Sequence, residues 1–125
     1  MPSLQRLRID AFHAQKGRCC YCELPMWNAS PDELTVFGVC ARTVASLRCT
    51  AEHLIAQQDG GKNAAGSIVA ACWLCNQRRH KRKSPPPPDA FRAFVQKRLA
   101  KGKLHTPGLL KLRVRPRADS ISQRG

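Results

Sequence analysis

The sequence predicts a small α+β domain in which a β-hairpin runs directly into a helix, with a further helix on each side. Three observations carry this prediction: two short β-type segments flank a glycine turn, a polar helical segment follows the second of them, and two Cys-x-x-Cys pairs bracket the region. The chain has 125 residues, of which 42% are apolar, and so suits one domain with a modest core.

Two helix starts are predicted before the hairpin. Apolar side chains recur at helical spacing over residues 3–16, with Ser3 as a cap and Gly17 as a stop. The stretch "SPDE" at residues 30–33 has the Ser-x-x-Glu capping pattern with proline at the first helical position. Whether a helix follows it stays open, because "LTVFGVC" is rich in β-branched residues and is interrupted by glycine.

The predicted hairpin and helix come next. "RTVASLRCTAEH" favours a short helix that leads into a strand ending at Glu52 and His53. "DGGKN" has turn chemistry, and "SIVAA" suits the returning strand. Residues 72–83 are polar and favour a helix, which the "SPPPP" stretch ends. Residues 1–84 are therefore expected to form the main domain.

A proline spacer at residues 85–88 separates this domain from a C-terminal helix and basic tail at 89–125. The proline run suits a stiff polyproline II segment, with a ligand for a peptide-binding domain as the alternative. Asp89 is predicted to cap the helix and Gly102 to end it. Its apolar face, which we expect to pack on the core, consists of Phe91, Phe94, Val95 and Leu99.

The charge points to nucleic acid as the partner. The formal net charge is +14, and +13 of it falls from Asn76 onward. Such a surface attracts polyanions and releases counterions from phosphates. A solvated basic tail and a membrane-surface patch are the alternatives, although no long apolar run or anchored amphipathic helix supports a membrane, and nothing indicates a small-molecule substrate. The first residues lack the apolar core of a secretion signal, so a cytoplasmic location is expected.

The cysteines predict a structural zinc site. Two-residue gaps allow both thiolates of each pair to reach one tetrahedral ion. The four predicted ligands are Cys19, Cys22, Cys72 and Cys75. A redox role for one pair is less consistent with the sequence than a zinc site, because the chain lacks the βαβ pattern of thioredoxin-like motifs. Small buried apolar positions are expected for Cys20, Cys40 and Cys49, although Cys20 competes with Cys19 as a ligand.

The residues next to these cysteines are expected to support them. Tyr21, Met26, Trp27 and Trp73 are predicted to pack around the zinc rather than to stack on bases.

Four polar residues are predicted to converge beside this zinc site. Glu52 and His53 end the first strand, and Asn76 follows Cys75 directly, with His80 one helical turn later on the same face. Carboxylate, amide and imidazole groups suit a divalent ion with open positions for water and a phosphate oxygen. His53 remains as a general base.

The string "CxxC … EH … GGxN … SIVAACxxCNxxRH" resembles the HNH endonucleases of the ββα-metal superfamily, in the branch with two zinc-binding CxxC pairs. The resemblance covers about residues 4–83. It implies that Glu52 helps to bind the catalytic metal and that His53 activates water. It places the remaining metal ligands at Asn76 and His80.

Two positions depart from the family's pattern. The middle asparagine, which orients the base, falls on Ser67, and Asn63 in the turn is the alternative. We prefer Ser67 because it keeps the register. Ala56 stands where the family has a proline after the histidine.

The resemblance implies a metal-dependent endonuclease that hydrolyses DNA phosphodiesters with low sequence specificity, acting on double-stranded DNA. Ligand hardness favours Mg²⁺ or Mn²⁺, with Zn²⁺ or Ni²⁺ left open. The predicted phosphate contacts are Arg78, Arg79, Lys81, Arg82 and Lys83. The alternative is a catalytically inactive, zinc-held nucleic-acid-binding module.

Overall fold

The computed structural model describes residues 2–55 and 60–113. Its helices and strands are α1 (Leu4–Ala14), β1 (Cys49–His53), β2 (Ile68–Cys72), α2 (Trp73–His80), α3 (Pro88–Ala100) and α4 (Pro107–Leu110). The position noted at Ala56 and the predicted basic tail from residue 114 onward lie outside the described residues. Among those described, no helix is both long and apolar enough to cross a membrane.

The two strands form the predicted antiparallel hairpin, which confirms the α+β class. Cys49 pairs with Cys72 at one end and His53 with Ile68 at the other. The second strand passes into α2 with no residue between them, and Cys72 is the N-cap, its sulfur accepting the Cys75 backbone N–H at 3.4 Å. A potential metal ligand therefore marks the point where strand becomes helix.

Helix α1 forms where the apolar spacing predicts a helix, and it packs across the hairpin. Ser3 caps it by accepting the Arg6 backbone N–H at 3.1 Å. Gln15 lies just beyond its last turn, and its side-chain amide pairs with the backbone of Ala70. Oε1 accepts the Ala70 N–H at 2.9 Å and Nε2 donates to the Ala70 carbonyl at 2.8 Å. These bonds fix the helix end to β2.

The capping pattern at residues 30–33 does begin a helix, but a 3₁₀ helix over Pro31–Phe37. Ser30 and Glu33 make the reciprocal capping contacts, and Gly38 ends the helix with φ of 78°. The β-branched residues of this segment disfavour an α-helix and are consistent with a short 3₁₀ helix.

The N-cap of helix α3 lies two residues earlier than predicted. Pro88 is its first residue and Pro87 its N-cap, with no side-chain cap, so the assignment of Asp89 as the cap is wrong. Proline at the first helical position has its φ already fixed for the helix and needs no donor there. Helix α4, which the sequence reading did not predict, adds the buried Leu109.

The cysteines of the two CxxC pairs and the C-terminal helices belong to one hydrophobic core, as expected for the apolar face of α3. It includes Phe91, Val95 and Leu99, whereas Phe94 keeps 38% of its surface exposed. Of the remaining cysteines, Cys49 is buried as predicted and Cys20 is half-buried. The prediction was wrong for Cys40, which is exposed: it lies in a surface turn, and its thiol contacts Thr43.

Candidate functional site

The four cysteines of the two pairs meet in one buried cluster. The sulfurs of Cys19, Cys22, Cys72 and Cys75 all lie within 4.8 Å of one another. The Sγ atoms of Cys22 and Cys72 are 3.8 Å apart although fifty residues separate them in the chain. Tetrahedral zinc with bonds of roughly 2.3 Å requires sulfur separations of about 3.8 Å. The cluster is therefore arranged to hold a metal ion and fits structural zinc.

The first pair lies on a tight loop. Its ends are joined by hydrogen bonds from Cys19 N–H to the Leu24 carbonyl and from Glu23 N–H to the Cys19 carbonyl, both 3.0 Å. Glu23 adopts φ of 63°, the left-handed conformation that closes such a turn. Cys22 and Cys19 consequently point to the same side, toward the start of α2.

The thiols of the cluster have unequal acidity. Burial opposes ionisation of Cys19, but hydrogen bonds from the neighbouring thiols outweigh it and hold its pKa well below the usual value. The pKa of Cys72 and that of Cys75 are raised well above it, chiefly because each donates a hydrogen bond to Cys19. One thiolate thus disfavours the next, and a divalent cation among the sulfurs would remove that repulsion.

Glu52 is a buried carboxylate with three side-chain partners. Only 1% of its surface is exposed. Oε2 accepts hydrogen bonds from the Tyr21 hydroxyl at 2.7 Å and from Arg79 Nη1 at 3.0 Å. Oε1 lies 2.7 Å from His80 Nε2. Tyr21 and Arg79 therefore fix the plane of the carboxylate and direct Oε1 to His80.

Tyr21 connects the first cysteine loop to this carboxylate. Burial, followed by the charge of Glu52 and the hydrogen bond to it, raises the pKa of Tyr21 well above the usual value, so the hydroxyl stays protonated and donates. Its ring meets Phe91 of α3 edge to face, with centroids 4.9 Å apart, and Gln96 Nε2 donates to its carbonyl at 2.7 Å. Tyr21 is buried beside the cysteines as predicted, but its contact with Glu52 had no sequence signal.

Arg79 does not serve as one of the predicted phosphate contacts. Its side chain is 3% exposed and forms an ion pair with Glu52. The guanidinium also donates to the carbonyls of His53, Leu54 and Pro86 at 2.9–3.1 Å. These contacts leave it no open face toward a polyanion, and they attach α2 to the end of β1 and to the proline segment.

Asn76 and His80 lie one turn apart on α2, as predicted. Asn76 Nδ2 donates to Thr50 Oγ1 at 3.0 Å and to the Ala51 carbonyl at 3.1 Å. Both bonds use the amide nitrogen, so Oδ1 is the atom of this side chain suited to a cation. The two residues line an open cleft of about 480 Å³ along α2, together with Trp73, Leu74, Gln77, Arg78 and Lys81.

The chemistry of Glu52 and His80 fits a divalent ion. Two adjacent ligands of an octahedral ion at roughly 2.1 Å stand about 3 Å apart. The separation of 2.7 Å between Oε1 and Nε2 needs only a small adjustment to admit one.

His53 forms a second pair with Asn63. His53 Nε2 lies 2.8 Å from Asn63 Oδ1. Because an amide oxygen only accepts, Nε2 carries the hydrogen and Nδ1 is left unprotonated in the neutral ring. Ser67, the residue preferred from the sequence, instead extends the hairpin, its carbonyl accepting the Leu54 N–H at 3.0 Å. Successive strand residues point to opposite faces, so His53 and Glu52 leave β1 in different directions.

The other predicted phosphate contacts are at the surface. Arg78, Lys81, Arg82 and Lys83 are all exposed at the C-terminal end of α2 and in the turn after it. Trp73, predicted to pack around the zinc, keeps 39% of its surface exposed at the start of the same helix.

Comparison with known proteins supports the family resemblance in the central part of the chain. Residues 38–82 match the family described as HNH endonuclease. This segment contains β1, β2 and α2, and therefore Glu52, His53, Asn76 and His80, whereas Cys19 and Cys22 precede it. No curated protein and no solved structure gives a significant match. The hairpin and helix that hold these residues are therefore the part of the chain that is similar to HNH endonucleases, and this similarity suggests a nuclease-type function.

Proposed function

We propose that the protein is a metal-dependent endonuclease that hydrolyses phosphodiester bonds of double-stranded DNA with low sequence specificity. The observation that carries the proposal is the meeting of Glu52 and His80, 2.7 Å apart, within the segment that matches the HNH family. The exposed cations around them suit phosphates, and contacts to phosphates position a duplex without reading its bases.

The metal would be held by Glu52 Oε1, His80 Nε2 and Asn76 Oδ1. Hard oxygen ligands favour Mg²⁺ or Mn²⁺, and such an ion stabilises the charge that develops on the phosphate and on the leaving oxygen. Tyr21 and Arg79 hold the other carboxylate oxygen, so Glu52 keeps a single orientation. They are positioning residues, because they act through Glu52.

His53 is the proposed general base. Its hydrogen bond to Asn63 leaves Nδ1 to accept a proton from water. The water oxygen then bonds to phosphorus as the bond to the 3′ oxygen breaks in line. Asn63 takes the orienting role in this proposal instead of Ser67, because its amide oxygen lies 2.8 Å from His53 Nε2.

We further propose that the four-cysteine cluster binds structural zinc. The ion would join the first cysteine loop to the start of α2, which is a substantial constraint in a domain of this size. It would take no part in the reaction.

Cleavage of supercoiled plasmid tests the proposal. The purified protein is incubated with plasmid and Mg²⁺ or Mn²⁺, and its zinc content is measured on the same sample. Wild type is expected to nick and linearise the plasmid, His53→Ala to lose this activity, and His13→Ala, which removes an exposed histidine on α1, to retain it. The proposal fails if wild type and His53→Ala leave the plasmid equally intact with every metal.

A further inference from the structure

We propose that a second cleft, between the C-terminal end of α2 and helix α3, binds a backbone phosphate of the nucleic acid next to the one that is cut. The cleft is lined by Arg78, Lys81, Arg82, Phe91, Phe94, Arg98 and Leu104. The inference rests on the proposed function, because it names a further contact with the same substrate. It assigns a binding role to α3, for which the sequence predicted only packing on the core.

The composition of the cleft favours an anion. Four of its lining residues, Arg78, Lys81, Arg82 and Arg98, are cationic, and none is acidic. Bringing like charges together from two elements costs free energy that a bound anion would recover. The volume of about 180 Å³ is below the roughly 300–1,000 Å³ of sites for drug-sized molecules. A phosphate group is an anion of suitable size.

Phe94 organises the cations. Its ring keeps 38% of its surface exposed, and the guanidinium carbons of Arg82 and Arg98 lie 5.1 and 5.8 Å from its centroid. The ring is itself placed by the buried Phe91, with the two centroids 6.0 Å apart. A guanidinium held over an aromatic ring still points its N–H groups outward in its own plane, available for two-point contact with a phosphate.

The cleft adjoins the cleft of the proposed metal site through two shared residues. Arg78 and Lys81 line this cleft and also the cleft along α2 that contains Asn76 and His80. A strand whose phosphate lies at His80 would therefore pass these two side chains before it reaches Phe94 and Arg98. The shared residues make the occupant a neighbouring phosphate of that strand rather than an unrelated anion.

Two substitutions on one helix separate a specific contact from general charge. Arg98→Gln removes a cation of the cleft, whereas Lys97→Gln removes the adjacent, exposed cation of α3 that does not line it. Both are made in the His53→Ala protein, loaded with zinc, and binding of a short fluorescein-labelled duplex is followed by anisotropy across a salt series. The thermal midpoint and zinc content of each variant are checked against the parent.

We expect Arg98→Gln to weaken binding roughly tenfold at low salt, as for loss of one charge-assisted hydrogen bond. It should also reduce the slope of log K against log salt by about 0.9, as for loss of one phosphate contact. Lys97→Gln should change the affinity and the salt slope much less. Phe94→Leu keeps the charge and an apolar side chain, and should weaken binding several-fold because the guanidiniums lose their common support.

The results distinguish failure of this inference from failure of the proposed function. If Arg98→Gln and Lys97→Gln have equal affinities and equal salt slopes while wild type still cleaves plasmid, the cleft is not a phosphate site and the nuclease proposal is unaffected. If the parent binds no duplex even at low salt and wild type does not cleave, both proposals are overturned.

Discussion

Replacement of Arg79 by methionine should destabilise the fold far more than its place in a basic run suggests. Arg79 is 3% exposed and Glu52 1% exposed, so Arg79→Met leaves a carboxylate without its cation in the interior. Removing one partner of a buried ion pair typically costs about 3–5 kcal/mol of unfolding free energy. Three carbonyls, those of His53, Leu54 and Pro86, also lose a donor, which places the expected cost in the upper part of that range.

Urea unfolding of the zinc-loaded protein measures this cost. Arg78→Met is the matched control, because it makes the same exchange at the adjacent, exposed position and should change the free energy of unfolding by no more than about 0.5 kcal/mol. Glu52→Gln removes the buried charge. The double variant Arg79→Met with Glu52→Gln should therefore lose less stability than the sum of the two single changes.

The reasoning would be refuted by either of two results. One is a loss of stability in Arg79→Met no greater than in Arg78→Met, which would mean that the guanidinium is not a buried structural contact. The other is strict additivity of Arg79→Met and Glu52→Gln, which would mean that the two side chains do not interact.

Three further experiments test the site. Tyr21→Phe keeps the ring against α3 but removes the hydroxyl bonded to Glu52. It should lower the free energy of unfolding by about 1.5–3 kcal/mol and raise the Mn²⁺ concentration needed for half-maximal plasmid cleavage. An unchanged Mn²⁺ titration would exclude a positioning role for Tyr21. Cys22→Ser should reduce bound zinc below one per chain and lower the unfolding midpoint, and full zinc content would contradict the four-cysteine site. Asn63→Ala should slow cleavage at least tenfold and Ser67→Ala much less, whereas the reverse order would restore Ser67 as the orienting residue.

The elements near the cysteines could be predicted because local chemistry specifies them. A turn rich in glycine between two apolar segments defines the hairpin, and a CxxC pair at its end defines where α2 begins. Helical spacing then places Asn76 and His80 on one face. The family match over residues 38–82 includes these same elements.

The burial of Arg79 follows from helical phase and not from its place in a run of charges. Arg79 comes four residues after Cys75, a buried member of the cysteine cluster, and residues at that spacing share a helix face. The phase alone therefore predicts that Arg79 turns inward while Arg78 and Lys81 remain outside. A buried arginine in turn requires a carboxylate nearby, and Glu52 is the one available at the end of β1.

The contacts of Tyr21 could not be predicted from local pattern, because they join residues 31 and 75 positions apart. Yet they show why the cysteine cluster matters to the proposed site. Tyr21 lies between Cys19 and Cys22 in the first loop, and Arg79 lies one turn after Cys75 in α2. Both residues that hold Glu52 Oε2 are thus placed by the cysteine cluster, so loss of zinc should misorient the carboxylate even in molecules that keep the hairpin.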